Sequence, residues 1–336
     1  MFGLFTPRKS FRIPSGVTLE VRGPIADDGG RAWWPQVEGT LAYRGVLTGA
    51  YGLLTGTGTV QVAGLRSRSG SGMGFGPCRL VWQPESSTGL FPLLGFYLRY
   101  TAFIVLNGTT VAPGCDCVKA SAEGAPDSEV ALYVEEEGAT FEIPGGQTLT
   151  LEDDGSHILF GGPGPVRKTG TGTFRLAGVD DQHTGATFLA AGTYSVEGEC
   201  FSPAFELAPG SVLDLSAPYP TQIEATNFVW SAGAEIRLCV SADGSDRLDL
   251  RTKGDRPLGW KMPGEGECFL TVKVESNAHA GDYVLIIADE IPDRYWSRLA
   301  RRFVGAAGRR ARLARTPDRR GVVLTLGPPS TVILLR

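Results

Sequence analysis

The sequence predicts an all-β protein, specifically a right-handed parallel β-helix (solenoid) with a small C-terminal β cap. Three observations predict this class: a high glycine content, a short glycine-containing phrase that recurs along the chain, and alternating apolar residues after each copy. Glycines number 46 in 336 residues, roughly twice the usual ~7%. Because 42% of the residues are also hydrophobic, the composition favours an ordered, turn-rich β protein.

The recurring phrase is a Gly, one or two small residues, often Thr or Ser, and then apolar-x-apolar. Eleven copies lie between residues 15 and 238: SGVTLEV (15–21), EGTLAY (38–43), GTGTVQV (56–62), NGTTV (107–111), EGATFEI (137–143), GGQTLTL (145–151), GTGTFRL (170–176), TGATFLA (184–190), AGTYSV (191–196), PGSVLDL (209–215) and AGAEIRL (232–238). Period-2 alternation is typical of short strands. The glycine before each strand supplies the positive φ of a tight corner.

The links between copies distinguish a solenoid from a hairpin meander. A meander would repeat two-residue Asn-Gly or Asp-Gly turns, whereas the links here are Pro-Gly, Ala-Gly and Gly-Gly corners. In a solenoid, each coil passes two or three sides before it stacks on the preceding one, which allows parallel pairing. We therefore predict a lead-in over residues 1–14 and a solenoid over 15–288. A β-sandwich is the alternative.

Residues 289–336 are predicted to form the cap. They contain 11 Arg and 4 acidic residues, a net charge of +7, so the rest of this chain of net charge −4 carries −11. The acidic body excludes nucleic acid as the expected partner. Apolar residues at Trp296, Leu299, Phe303 and Val304 favour a short basic helix, followed by two strands around a Thr-Pro-Asp turn and a third strand, TVILL. An Arg-rich binding tail is the alternative.

Two stretches rich in small residues, 66–79 and 112–129, are predicted to be loops that leave the stack. No segment reaches the roughly 18 consecutive apolar residues of a membrane span. The N-terminus also lacks the apolar run of a signal peptide. We therefore expect no transmembrane segment and no export signal in this chain.

One stretch, KTGTGTFRLAGVDDQHTGATFLAAGTYSVEG (168–198), combines three copies of the phrase. Its recurring positions are Lys168, Gly170, Gly172, Thr173, Phe174, Leu176 and Gly178, then Thr184, Gly185 and Thr187, then Ala191, Gly192, Thr193 and Val196. This pattern resembles the autotransporter-associated β-strand repeat of bacterial surface proteins, whose unit runs K-x-G-x-G-T-L-x-L-x-G, a short polar link and G-T-L-x-V. One copy is complete, and GLLTGTGTVQVAG (52–64) resembles a degenerate first half.

The resemblance implies a parallel β-helix displayed on, or secreted from, a bacterial cell, with a structural or adhesin-like role instead of catalysis. It implies a protein or glycan on a surface as partner, and an extracellular or cell-surface location. Two alternatives remain open: a carbohydrate-active β-helix enzyme, either a polysaccharide lyase or a hydrolase, and a phage fibre-like structural protein. An enzyme would gather three or more acids with a Lys, Arg or His within a few ångströms of one another on one face, whereas scattered acids would exclude it. A fibre would be trimeric.

The acid–His cluster Asp180-Asp181-Gln182-His183 is the sharpest catalytic candidate, because β-helix hydrolases use paired carboxylates and lyases need a base. Lys168 and Arg175 lie nearby in sequence. The cluster occupies the polar link of the repeat, so we interpret it as a turn. Further acid or His groups at 153–157, 135–137 and His279 are interpreted as turns, a strand end and a loop. We predict no catalytic, cofactor-binding or metal-binding residue.

The cysteines and aromatic residues are predicted to be structural. Cys78, Cys115, Cys117, Cys200, Cys239 and Cys268 show no zinc-site spacing. They are interpreted as buried small hydrophobes, with disulfides as the alternative. The aromatic concentrations are Trp33, Trp34, Phe91, Phe96, Tyr97 and Tyr100. These are predicted to plug the N-terminal end of the helix; exposed, they would stack on sugars or bind a partner.

Overall fold

The structure is a computed structural model of the chain, almost entirely β. It describes residues 11–21, 35–49, 52–67, 72–84, 90–95, 102–122, 130–153, 158–217, 220–251, 259–305 and 309–329. The chain forms two compact units, an N-terminal unit (Met1–Gly185) and a C-terminal unit (Ala186–Arg336).

Strands of the N-terminal unit form three parallel rows, which are the three sides of a coil, and a short pair, β1 (Arg12–Ile13) with β3 (Gln36–Val37). Row A consists of β2 (Thr18–Val21), β4 (Thr40–Tyr43), β7 (Thr59–Val62), β10 (Arg79–Trp82), β13 (Thr109–Pro113), β16 (Ala139–Glu142) and β19 (Val166–Thr169). Row B consists of β6 (Gly52–Leu54), β9 (Gly72–Phe75), β12 (Ala102–Leu106), β15 (Val130–Val134), β18 (Ile158–Gly162) and β21 (Asp180–His183). Row C consists of β5 (Val46–Gly49), β8 (Gly64–Ser67), β11 (Leu90–Gly95), β14 (Cys117–Ala122), β17 (Thr148–Glu152) and β20 (Thr173–Ala177).

The predicted parallel β-helix is confirmed by this pairing, because successive strands of a row belong to successive coils. Register partners lie from 18 residues apart, between Val46 and Gly64, to 31 apart, between Cys117 and Thr148. Coils of unequal length explain why the phrases recur at irregular spacing. The long crossover that parallel pairing requires is supplied by the other two sides of each coil.

Inward-facing residues of each row stack into columns that form the core. In row A, one column runs through six coils as Leu41, Val60, Leu80, Val111, Phe141 and Lys168, and each of these is at most 1% exposed. Burial of each large apolar side chain contributes about 1.5–3 kcal/mol. The columns therefore supply much of the stability that a stack of short strands needs, with a lysine in an inward position.

In the C-terminal unit three further rows are parallel. Row D consists of β22 (Thr187–Leu189), the second halves of β24 (Glu199–Leu207) and β26 (Gln222–Trp230), and β30 (Gly259–Lys261). Row E consists of the first halves of β24 and β26, β29 (Arg247–Leu250) and β32 (Gly281–Ala288). Row F consists of β23 (Thr193–Glu197), β25 (Val212–Asp214), β27 (Glu235–Ser241), β31 (Cys268–Val274) and β33 (Leu299–Val304). A two-residue strand, β28 (Gly244–Ser245), turns back on β27.

An antiparallel group closes the C-terminal unit. Strand β35 (Gly321–Pro329) pairs with β32 on one side and with β34 (Arg309–Arg315) on the other. The predicted pair of strands around the Thr-Pro-Asp turn is thus confirmed. The predicted strand TVILL lies outside the described residues.

The predicted basic helix is largely wrong. Helix α1 spans only Asp293–Trp296, and β33, which carries three of the four apolar residues used for that prediction, continues row F by pairing with β31. Six consecutive residues of β33 pair with β31. The backbone hydrogen bonds gained by this pairing outweigh a weak local preference for helix.

The two predicted loops are also partly wrong. GMGF within 66–79 forms β9, which pairs with β6 and β12, and residues of 112–129 form β14, which pairs with β11 and β17. Glycines weaken an isolated strand, but here neighbours on both sides supply the hydrogen bonds. Residues 68–71 and 123–129 lie outside the described part of the chain.

Corner glycines behave as predicted in nine of the eleven phrases, with φ from +69° at Gly108 to +112° at Gly56. In the phrases of Gly39 and Gly185, φ is ordinary. There, a Cβ would lie 2.2 Å or less from a carbonyl oxygen of the preceding coil. These two positions require glycine because coils stack closely.

Replacing Gly170 with alanine should separate these two requirements. Gly170 has φ +71°, and a Cβ would lie 2.2 Å from the carbonyl oxygen of Ile143, whereas Gly146 has φ +80° and open space around it. We expect Gly170→Ala to lower the free energy of unfolding by about 1–3 kcal/mol more than Gly146→Ala, because it adds a backbone clash to the same φ penalty. Chemical denaturation of both variants measures the difference; equal losses would contradict it.

Candidate functional site

The acid–His cluster at Asp180–His183 lies in a strand, β21 of row B, and not in a turn as predicted. The neighbouring strand β18 pairs with the backbone of β21. Strand pairing, and not the local polarity of the sequence, therefore decides the structure of this segment. Lys168 and Arg175, its neighbours in sequence, lie on β19 of row A and β20 of row C. The coil therefore distributes the candidate acid, base and cations over its three different rows of strands.

His183 is a structural residue in this arrangement. Its side chain is buried, and Nε2 lies 2.7 Å from the carbonyl oxygen of Gly164. Burial lowers the pKa of the imidazole, and the Gly164 hydrogen bond acts in the opposite direction. Its backbone N–H donates to Asp181 Oδ1 at 3.0 Å. A buried ring that bonds a corner carbonyl is held in place and is not presented to a substrate.

Lys168 also serves the corner that follows it. The side chain is 1% exposed, and Nζ donates to the carbonyl oxygens of Thr169 at 2.9 Å and Gly170 at 2.8 Å. Burial lowers the pKa of the ammonium to about 8. Buried polar groups must be hydrogen-bonded. The lysine of the repeat-like motif therefore satisfies carbonyl groups inside the coil.

The other predicted acid and His groups are not brought together into a site among the described residues. Residues 154–157 lie outside the described ranges, and residues 135–137 lead into a turn after β15. His279 is exposed, and its carbonyl oxygen accepts a hydrogen bond from the Tyr283 hydroxyl at 2.8 Å.

The interpretation of the cysteines as buried residues is right for four of the six. All six are free thiols; Cys78, Cys200, Cys239 and Cys268 are buried, whereas Cys115 is half-buried and Cys117 is exposed. Phe91 is fully buried and stacks on Trp82, with ring centroids 4.7 Å apart. It lies in β11, between β8 and β14, so it packs inside the stack and does not plug the N-terminal end as predicted. Trp33, Trp34, Phe96, Tyr97 and Tyr100 lie outside the described residues.

The strongest candidate site is an open groove of about 350 Å³ on the outer face of row F. We call it the row F groove. It is lined by Ser216, Glu235, Arg237, Leu238, Thr271, Lys273, Arg302 and Val304. Arg237 of β27, Thr271 of β31 and Arg302 of β33 are register partners, so they form a transverse line across three strands. Outward positions of a sheet place side chains in such lines.

Carboxylates at one side of the groove are held by a cation and hydroxyls. Arg237 donates to Glu235 at 2.9 Å and lies 3.6 Å from Asp214. Glu235 also accepts from Thr271 Oγ1 at 2.5 Å, and Asp214 accepts from Ser216 Oγ at 2.6 Å. Burial raises the pKa of Glu235, but the bonds from Arg237 and Thr271 and the charges of Arg237 and Arg302 together lower it.

At the other side of the groove, two cations extend over the sheet. Lys273 Nζ lies 2.6 Å from Glu275 Oε1, and this hydrogen bond raises the pKa of the lysine. The Arg302 guanidinium lies over the Phe269 ring, 4.2 Å from its centroid, in a cation–π contact. The groove therefore offers ionised groups of both signs on a rigid sheet, which suits hydrogen bonding to a polar ligand.

These residues were not singled out from the sequence. Glu235 and Arg237 alternate within the last phrase, and Thr271, Lys273 and Glu275 alternate in CFLTVKVES. Alternation does mark outward positions. However, the register that brings 237, 271 and 302 together depends on coil lengths of 34 and 31 residues, which no local pattern encodes.

No group of His, Cys, Asp or Glu within the described ranges is arranged to hold a metal ion. In the same part of the chain, no helix has the length and hydropathy needed to cross a membrane. No protein-family model matches the chain, and no curated protein matches it. The class that the fold and the groove define is a parallel β-helix with a polar groove on one outer sheet face.

Proposed function

We propose that this chain is a non-enzymatic, adhesin-like β-helix protein of a bacterial surface or secretion, similar to an autotransporter passenger, and that it binds its ligand in the row F groove. Two features support the proposal: the repeat-like pattern at 168–198 and the coil architecture. In that pattern Lys168 donates to a corner carbonyl, Gly170 adopts the positive φ of the corner, and Phe174 is buried in the core. A rigid stack of this kind presents side chains of one face to a partner.

The observation that carries the proposal is the state of the groove carboxylates. Glu235 is ionised at neutral pH because its pKa is lowered, whereas a glycosidase acid needs a raised pKa to hold its proton. Asp214 is engaged by Arg237 and Ser216, and Glu275 is engaged by Lys273. Glu235, the carboxylate that lines the groove, is therefore suited to bind and orient polar groups and not to donate a proton for bond cleavage.

A carbohydrate-active enzyme is the second candidate, because the face gathers three acids, Asp214, Glu235 and Glu275, beside Arg237 and Lys273. Asp214 and Glu235 meet at Arg237, whereas Glu275 is joined to Lys273, so the grouping meets part of the requirement set from the sequence for an enzyme. Ionised Glu235 could act only as a base, so turnover is the property that separates the candidates.

Incubation with a panel of neutral and acidic polysaccharides tests the proposal. Affinity electrophoresis should show retardation of the chain by at least one polymer, while assays for reducing ends and for unsaturated sugars should show no product. Glu235→Gln removes the charge paired with Arg237 and leaves one acceptor oxygen for the two donors Arg237 and Thr271. It should reduce retardation about tenfold or more.

Glu267→Gln is the matched control, because Glu267 is an exposed carboxylate of the same unit that does not line the groove. Retardation should be unchanged in this variant. Product formation by the wild type that Glu235→Gln abolishes would replace the proposal by the enzyme candidate. If retardation is unchanged in Glu235→Gln, the ligand does not bind in the row F groove, and this part of the proposed function is wrong.

A further inference from the structure

Arg302 is the cation of the row F groove that forms no salt bridge in the described part of the chain, although its charge helps to lower the pKa of Glu235. It is exposed, and its described contact is with the Phe269 ring. The guanidinium carries five N–H donors in a planar fork that matches a carboxylate. Stacking on Phe269 restricts the fork, so less conformational entropy is lost when it binds a ligand.

Cations of the groove are also more exposed than most of the acids. The side chains of Arg237 and Lys273 are 41% and 46% exposed, whereas those of Glu235 and Asp214 are 16% and 22% exposed. Glu235 and Asp214 already accept hydrogen bonds from Thr271 and Ser216. A ligand approaching from solvent therefore meets the exposed guanidinium and ammonium groups before the carboxylates of Glu235 and Asp214, and among these cations Arg302 forms no salt bridge in the described part of the chain.

The position of the groove on a sheet face favours a glycan over a peptide. Strands β27 and β31 are paired on both sides, so their backbone groups are used. Strand β33 is the last strand of row F and pairs only with β31 among the described residues, but Arg237, Thr271 and Arg302 line the groove from the sheet face and not from that edge. Peptides that bind sheets add to a strand edge through backbone hydrogen bonds, which a face does not offer. A face offers side chains only, and these suit the hydroxyl and carboxylate groups of a sugar.

We infer that the row F groove is a binding site for a carboxylate-bearing glycan, such as a uronic acid oligosaccharide, and that Arg302 is the residue that selects the carboxylate. This inference rests on the proposed function and names the ligand class of the same site. Lys273 lies on the neighbouring strand β31, two residues after Thr271, the register partner of Arg302. Because Lys273 is paired with Glu275, Arg302 is the principal cation for the bound carboxylate.

Titration calorimetry with β-linked glucuronate oligosaccharides and with glucose oligosaccharides of equal length tests the inference. The two ligands differ only in the carboxylate. We expect the glucuronate oligomer to bind at least about tenfold more tightly, and its affinity to fall as salt concentration rises. Arg302→Gln should remove most of this preference and leave binding of the glucose oligomer unchanged.

Arg312→Gln is the matched control, because Arg312 is an exposed arginine of β34 outside the groove. It should keep the wild-type affinity, and thermal unfolding should show that both variants are folded. Equal binding of the two oligomers, or a glucuronate preference that survives Arg302→Gln, overturns the inference and leaves the proposed function standing. Binding of an acidic peptide but of neither sugar also overturns it, whereas cleavage of either sugar overturns the non-enzymatic function instead.

Discussion

Replacing Phe174 with alanine is expected to lower the free energy of unfolding by about 3–5 kcal/mol, the range for a buried aromatic residue. Phe174 of row C is fully buried and stacks on Phe141 of row A, with ring centroids 4.2 Å apart and planes at 11°. Phe160 of row B meets Phe174 edge-to-face at 6.4 Å. All three sides of the coil thus contribute a ring to one cluster, and neighbouring backbone held in sheets cannot collapse into the cavity.

Phe103→Ala is the matched control for this prediction. Phe103 of β12 is 36% exposed and meets Tyr133 at 6.3 Å in a T-shaped contact. Because it buries less area, its loss should cost about 1 kcal/mol. Denaturant titrations followed by circular dichroism measure both losses. Similar losses for the two variants would mean that the ring cluster is not a centre of stability.

Replacing Asp246 with alanine is the second large effect expected. Asp246 is 1% exposed, and its two carboxylate oxygens accept from the backbone N–H of Thr221 at 2.8 Å and of Cys239 at 2.5 Å. Alanine leaves both buried donors without an acceptor, at about 1–3 kcal/mol for each. The carboxylate links β27 to the residue that precedes β26, so the C-terminal unit should lose stability across two coils.

Asp243→Ala provides the comparison, since Asp243 is an exposed aspartate of the adjoining turn. Its backbone N–H, which donates to Ser241 Oγ at 3.2 Å, is retained in the variant. We expect a change of about 0.5 kcal/mol or less, as for other surface substitutions. Hydrogen exchange of the Thr221 and Cys239 amides should accelerate only in Asp246→Ala; unchanged exchange there would refute the assigned role.

The same carboxyl predicts a pH dependence of stability. Burial raises the pKa of Asp246 from 3.8 to about 7, although the bonds from Thr221 and Cys239 act in the opposite direction. The folded state therefore binds more protons than the unfolded state between these values. The stabilisation is complete below about pH 4 and is lost as pH rises through 7, by at most about 1.4 kcal/mol per pH unit.

Asp246→Asn removes the titration while keeping the size of the side chain. The decrease in stability between pH 4 and 7 should be smaller in Asp246→Asn than in the wild type, measured by denaturation at several pH values. Identical slopes would show that Asp246 does not titrate in this window.

Much of the coil could be predicted from the chain because its determinants are local. Gly170 and Gly146 stand at corners because a positive φ is a property of one residue and its peptide neighbours. Phe174 and Leu176 point inward because side chains alternate along a strand. The parallel arrangement also followed, since the links lack the turns that a hairpin requires.

Residues whose role depends on a neighbouring coil could not be predicted in the same way. Lys168 occupies an inward column, although a lysine in a strand is ordinarily expected to face solvent. Hydrogen bonds from its ammonium group to the carbonyl oxygens of Thr169 and Gly170 offset the cost of burying it. Asp180–His183 forms strand β21 because β18 supplies the pairing, although the polar sequence indicated a turn. Pairing free energy from another coil outweighed local preference in both units, as β33 also shows.

A stack of short parallel strands with glycine corners is predictable from the chain, because alternation and positive φ act within a few residues. The set of polar residues that meets on an outer face depends instead on contacts between coils. Arg237, Thr271 and Arg302 lie side by side because coils of 34 and 31 residues bring them into register. A one-residue slip in the pairing register between these strands would turn these side chains to the opposite face of the sheet. The candidate site therefore depends on coil length, which is set by packing of whole coils and not by any local pattern.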